Sequence, residues 1–188
     1  FAASPRLYTE GLVRLLPKGR RQRAREVIAA AGAALWLWLL GQFVTMALVG
    51  ILTGAGLSLI GVPLAPALGL LTAVLNFVPY FGPIVAAVPA VLLAFAGGIR
   101  MAVYTVLLFL VIQQVEGNAI TPLIQGQAVR LPPVLVLFGA VAAGLLFGVA
   151  GVVVATPLTV AAMVAVKMLY QEDVLGEAAD VPGRDAAD

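Results

Sequence analysis

The sequence predicts an all-α, polytopic integral membrane protein whose helices are broken or re-entrant. Three observations carry that expectation. Of the 188 residues, 62% are hydrophobic and 11% are charged, where a soluble domain carries about 25% charged residues. Between residues 27 and 166 the only charges are Arg100, Glu116 and Arg130, too few to keep the surface of a soluble fold dispersed. The apolar runs are also punctuated by proline and glycine, most densely in "NFVPYFGP" at residues 76–83. Apolar stretches of this length are read as membrane-spanning, and this one forbids an unbroken helix.

Residues 1–26 read as a basic, amphipathic approach segment, residues 27–169 as the transmembrane region and residues 170–188 as a polar tail. Seven of the eleven basic residues precede Val27, and six of the nine acidic ones follow Tyr170. The cluster Arg14, Lys18, Arg20, Arg21, Arg23 and Arg25 keeps the first segment cytoplasmic by the positive-inside rule, and the tail is expected on the same side. No cleavable signal peptide is expected, because the first 26 residues lack an apolar centre. Starting at Phe1, the chain reads as part of a longer protein.

The first apolar run, residues 27–53, carries Trp36 and Trp38 and reaches about 40 Å as a helix, enough to cross a core of about 30 Å with tilt. Gly50 and Gly54, spaced four apart, mark a face suited to close helix contact. Residues 64–78 and 84–97 flank the break; each would make a helix of about 21–23 Å, short of a full crossing. Either the upstream helix begins near Leu57, or the flanks form a hairpin turning within the membrane. A further run, residues 101–115, ends in "QQVEGNAITPLIQGQAVRLPP". The last, residues 134–166, is interrupted by "GVAG" at 148–151 and by Pro157. At about 50 Å of helix it is too long for one straight span. Tyr8 and Tyr170 are candidates for the interfacial aromatic belt.

One spacing pattern reads either as an internal repeat or as chance recurrence among many Gly, Ala and Val. Pro63, Gly69, Gly82 and Pro89 recur as Pro133, Gly139, Gly151 and Pro157, and Phe77 corresponds to Phe147. Both copies read helix, break, helix containing a proline, and transporters built from repeats carry broken helices at corresponding positions.

The polar chemistry is confined to two places. In the break, Pro79 and Pro83 each remove a backbone donor, Gly82 permits a sharp reversal, and Asn76 and Tyr80 add side-chain hydrogen-bonding groups. Freed backbone in lipid is tolerated where it is buried in protein or lines a watery cavity. The break is therefore either a substrate-lining hinge or a tight turn near the membrane surface. In "QQVEGNAITP", helical spacing puts Gln113 and Glu116 on one face and Gln114, Asn118 and Thr121 on a neighbouring row. Glu116 is the one carboxylate between Glu26 and Glu172, and a lone ionisable group at membrane depth is a functional candidate. It could bind a cation, carry a coupling proton, or pair with Arg130 or Arg100. Arg130 could serve as a gate charge or an interfacial anchor, and Arg100 could snorkel from a helix end. The substrate- or ion-binding candidates are thus Asn76, Gln113, Gln114, Glu116 and Asn118.

Enzymatic readings fail on composition. With neither His nor Cys in the chain, the Ser–His and Cys–His nucleophiles are excluded. No Asp lies in the apolar region, and no glycine-rich phosphate loop with a Lys is present. No catalytic residue, resident metal, cofactor or nucleic-acid partner is expected; the lone Glu116 leaves coupling to H+ or Na+ open.

The ordered segments "NFVPYFGP", "QQVEGNAITPLIQGQAV" with "LPP", "LFGVAGVVVATPL" and "KMLYQEDVLGE", preceded by "LYTEGLVRLLPKGRR", resemble the hallmark segments of the autoinducer-2 exporter (AI-2E) family across roughly residues 7–177. The resemblance implies a multi-pass transporter of the bacterial inner membrane, a homo-oligomer moving a small molecule or an ion across the lipid bilayer. Some members are associated with autoinducer-2 export and others with sodium/proton exchange. The positions that match the family pattern are Pro79 and Gly82, then Gln114, Glu116, Asn118, Pro122 and Gly126, then Gly148, Gly151 and Pro157. One departure is Pro132, where members often carry His, so an imidazole proton carrier is missing at that position. A non-transporting membrane scaffold is the alternative from a different class.

Overall fold

The computed structural model describes residues 13, 17–79, 81–124 and 133–176. Among these the secondary structure is helical, with no strand. After a short 3-10 turn, Lys18–Arg20, helix α1 runs unbroken from Arg21 to Ile60. Its 40 residues extend about 60 Å, well beyond the apolar run read from sequence, because no proline or charge interrupts residues 27–60. It stops at Gly61, whose left-handed backbone (φ 87°) lets the amides of Gly61 and Val62 turn back onto the carbonyl of Leu57 at 3.1 and 3.0 Å. This is the usual glycine-terminated helix end.

The chain then reverses through Leu64, a non-glycine residue held at φ 59°, into α2 (Ala65–Leu75), which has Pro66 in its first turn. Residues 76–80 separate it from α3 (Phe81–Ala96). Of the two alternatives left open by sequence, the hairpin is the one observed: α1 continues past Leu57 and α2 begins only at Ala65. At about 16 and 24 Å the two arms are both shorter than a bilayer core. The first arm lies antiparallel against α1, backbone to backbone. A Cβ on Gly69 would stand 2.7 Å from the carbonyl oxygen of Gly50 and from Cα of Gly54, and one on Gly50 would stand 2.6 Å from Cβ of Ala73. The glycines spaced four apart thus do what their spacing suggested. The register carries the hairpin tip to the middle of the uncharged part of α1. Ala65 and Leu68 of one arm, Ala86, Ala90 and Ala94 of the other, and Leu57, Ala102 and Phe109 share one apolar core.

Helix α4 (Ile99–Val115) starts after Gly98 (φ 114°) and leads through a wide π turn, Glu116–Ile120, into a last α-helical turn, Thr121–Ile124. Helix α5 (Pro133–Val166) is broken at Gly148, whose φ 64° and ψ −149° belong to no helix. Its two arms, 133–147 and 149–166, fold back on each other. A Cβ on Gly144 would meet Val152 at 2.8 Å and one on Gly139 would meet Thr159 at 2.9 Å. The apolar stretch Val134–Glu172 therefore has the length to cross a membrane, as do Lys18–Ile60 and Ile99–Ile124, but it is a second hairpin and not one rod. Its returning arm packs Val160, Val164 and Met168 against Val27, Ala30, Ala34 and Trp38. The first hairpin enters from the end of the bundle where α1 finishes, and the second from the end where α1 begins.

Candidate functional site

The site grows from a packing problem. Where α2 ends, the carbonyls of its last turn lose their helical donors and must find others. The amides of Phe77 and Val78 still bond back to Val74 and Leu75, at 3.2 and 3.1 Å, and the amide of Gly82 bonds to Val78 at 2.9 Å. The carbonyl of Asn76 is taken by a side chain: Nε2 of Gln42, from α1, donates to it at 2.7 Å. Gln42 is 2% exposed and Asn76 is fully buried. Gly82 makes the turn compact, since a Cβ there would collide with the carbonyl of Leu75. Pro83 falls in the first turn of α3, where its missing N–H costs little, and Pro79 sits half-buried in the turn with its carbonyl accepting from the amide of Phe81 at 2.8 Å. Trp38, one turn before Gln42, meets the Phe77 ring edge-on at 5.9 Å.

The side chain of Asn76 reaches across to the other polar segment. Its Nδ2 donates to Oε1 of Glu116 at 2.9 Å. Glu116 opens the π turn, its carbonyl accepting from the amide of Thr121. Pro122 cannot donate to the carbonyl of Asn118, and a π turn is a common way to accommodate such a missing bond. Gln42, Asn76 and Glu116 therefore form one buried chain from α1 through the hairpin tip to α4. Two of its oxygens, Oδ1 of Asn76 and Oε2 of Glu116, have no hydrogen-bond donor among the described residues. A buried polar atom of this kind is costly and calls for an explanation.

A family model for AI-2E family transporters matches residues 1–171. The chain belongs to the AI-2E transporter family. Among its relatives, "Putative transport protein YrrI" of Bacillus subtilis (strain 168) is 31% identical over 156 residues, covering 83% of this chain and 44% of its own. "Putative transport protein MT0215" of Mycobacterium tuberculosis is 36% identical over 162 residues, covering 84% of this chain and 44% of its own. "AI-2 transport protein TqsA" of Escherichia coli (strain K12) is 30% identical over 122 residues, covering 64% and 35%. The chain spans less than half the length of these curated relatives.

Within this AI-2E chain the structure sorts the sequence candidates. Asn76 and Glu116 come together. Gln113 is half-buried, while Gln114 and Asn118 are exposed and Pro122 lies exposed in the turn after the π segment. The row of Gln114, Asn118 and Thr121 supposed an unbroken α-helix, and the wider turn changes the angular spacing beyond Glu116. Of the alternatives left open for Glu116, pairing with Arg100 is not observed: Arg100 stands exposed at the start of α4, over the Tyr104 ring at 5.8 Å, about four turns from Glu116. Gly126 and Arg130, like Tyr80, Tyr8 and Pro132, lie outside the described residues. Gly148 breaks α5, Gly151 packs in the second hairpin and Pro157 lies in its returning arm. Gln42 escaped the sequence reading, although it is the one amide side chain between residues 27 and 75, and that isolation was a usable signal.

Proposed function

We propose that this membrane transporter is a secondary transporter that moves a small polar solute past the Gln42–Asn76–Glu116 chain, drawing on an H+ or Na+ gradient. The observation that carries the proposal is the 2.9 Å contact between Asn76 and Glu116. It joins a broken helix to the one carboxylate between Glu26 and Glu172, deep within apolar helices. Intramembrane ionisable groups mark ion and substrate paths, and broken helices mark binding sites in repeat-built transporters. The name of TqsA makes autoinducer-2 the first solute to test, and export the first direction. In proteoliposomes with an imposed proton or sodium gradient, protein-dependent flux of at least one solute from a small polar panel is expected. Glu116→Gln should remove the gradient dependence. No flux under either gradient would overturn the proposal in favour of a scaffold, and conductance without saturation would overturn it in favour of a passive channel.

A further inference from the structure

The two unpartnered oxygens belong to two side chains joined by one hydrogen bond. Oδ1 of Asn76 belongs to the amide whose Nδ2 makes the 2.9 Å hydrogen bond, and Oε2 of Glu116 belongs to the carboxylate that accepts it. Asn76 is fully buried and Glu116 is 8% exposed. With the Glu116 carboxyl ionised, both free atoms are acceptors and neither satisfies the other. Gln42 donates from Nε2 to the backbone carbonyl of Asn76, and no donor among the described residues reaches either free oxygen. Hard oxygen donors of this kind, a carboxylate and an amide carbonyl, are the ligands of hard cations. Charge sets the valence. The described parts of α1, α2, α3 and α4 bring no second carboxylate to the pocket: Glu26 lies four turns down α1, in an ion pair with Arg23. One negative charge balances one positive charge, and a divalent ion would leave an uncompensated charge in a low-dielectric site.

We infer that a single monovalent alkali cation binds between Oδ1 of Asn76 and Oε2 of Glu116, pinning the tip of the first hairpin to the π turn of α4. Gln42 acts as the positioning residue, holding the Asn76 backbone and with it the side-chain amide beside the carboxylate. This site deepens the transporter reading and names one ion class for it, yet it can be measured without any flux.

The structure supplies the reporter. Trp38 is 2% exposed and touches Phe77, the residue after Asn76, whereas Trp36 is 66% exposed. In the protein purified into nanodiscs, Trp36→Phe leaves Trp38 as the one indole. Its emission is followed at fixed pH while NaCl, LiCl or KCl replaces choline chloride at constant ionic strength. A saturable response to at least one alkali ion is expected, with its half-saturation raised tenfold or more by Glu116→Gln. Asn76→Asp, which adds a carboxylate without changing shape, should lower the half-saturation for Ca2+ at least tenfold and so guards against a Gln variant that misfolds. Gln42→Leu should weaken alkali binding less than Glu116→Gln does. Identical traces in alkali and choline salts would overturn the inference, as would a Glu116→Gln variant that responds like its parent, or a response to pH with none to alkali ions. Flux without alkali binding would sink this site and leave the transporter reading standing; binding without flux would do the reverse.

Discussion

The two hairpins solve one structural problem with different chemistry. Each reverses a helix between two packed arms, each carries a glycine just past the break that lies against a backbone carbonyl of the other arm, and each has a proline further on. Gly82 meets Leu75 and Pro89 follows; Gly151 meets Ala143 and Pro157 follows. The tips differ. The first is buried, polar and tied to two other helices by Gln42 and Glu116. The second turns on Gly148 alone, between Phe147 and Val149, which are 72% and 82% exposed. The outer glycines differ too, since Gly69 lies against α1 whereas Gly139 lies against its own hairpin's returning arm. A shared fold device thus carries a buried polar network in one copy and only a bend in the other.

The largest effect should come from what the copies share. Gly82→Ala and Gly151→Ala each push a methyl into a backbone carbonyl that cannot swing aside, so each should cost about 3 kcal/mol or more. Loss of the monodisperse peak in detergent and a large drop in Tm would show it. If one variant is lost and the other keeps its parent's Tm, the two glycines are not equivalent and the repeat is superficial.

The tips should separate in function. Asn76→Ala removes the donor to Glu116 and should lower solute flux at least tenfold, about 1.4 kcal/mol of transition-state stabilisation. Phe147→Ala at the other tip should leave flux within about twofold. Equal losses would mean that the second tip also meets the solute.

A smaller effect tests the bends themselves. Gly148 has open space around the position of a Cβ, so Gly148→Ala adds no clash. Its cost is dihedral, since φ 64° with ψ −149° is a region that essentially only glycine occupies. About 1–3 kcal/mol is expected, read as a lower Tm with flux retained. The first break has no such residue among those described: its reversal rests on Pro79, Pro83 and the close approach of Gly82, and its weak point is contact and not dihedral strain.

This contrast also explains what could be read from sequence. Apolar length, missing charge and the two proline/glycine clusters sufficed for helices and breaks, because those follow from local backbone chemistry. Gly50 and Gly54 were legible for the same reason. Asn76 and Glu116 could each be singled out as a polar group in an apolar run, but their contact spans forty positions and depends on which face each helix turns inward. Gln114 and Asn118 looked equivalent to Glu116 until the π turn altered the helical spacing, and nothing in "EGNAI" alone announces that turn. Gln42 was readable as an isolated amide but had no visible reason until a carbonyl freed by the break came to lie beside it.

The hairpins are also anchored by opposite means, and the smallest expected effect tests that. The first is held at its tip by the buried amide of Gln42. The second is held at its base, where Arg23 of α1 pairs with Glu172 and Asp173 at 2.7 Å each and donates to the carbonyl of Met168 at 3.0 Å. Arg23 is 25% exposed along its side chain and its partners are 12% and 39% exposed, so water and salt screen this cluster. Arg23→Ala should therefore cost only about 1 kcal/mol, and most of that should vanish between low salt and 1 M, where the screening length falls to about 3 Å. Gln42→Leu strands a buried carbonyl that salt cannot reach, so its cost of about 1–3 kcal/mol should persist at both ionic strengths. Parallel melts of the two variants at 50 mM and 1 M salt would separate the anchors. If both variants lose their effect in high salt, the Gln42 amide is not shielded and the first tip is open to water.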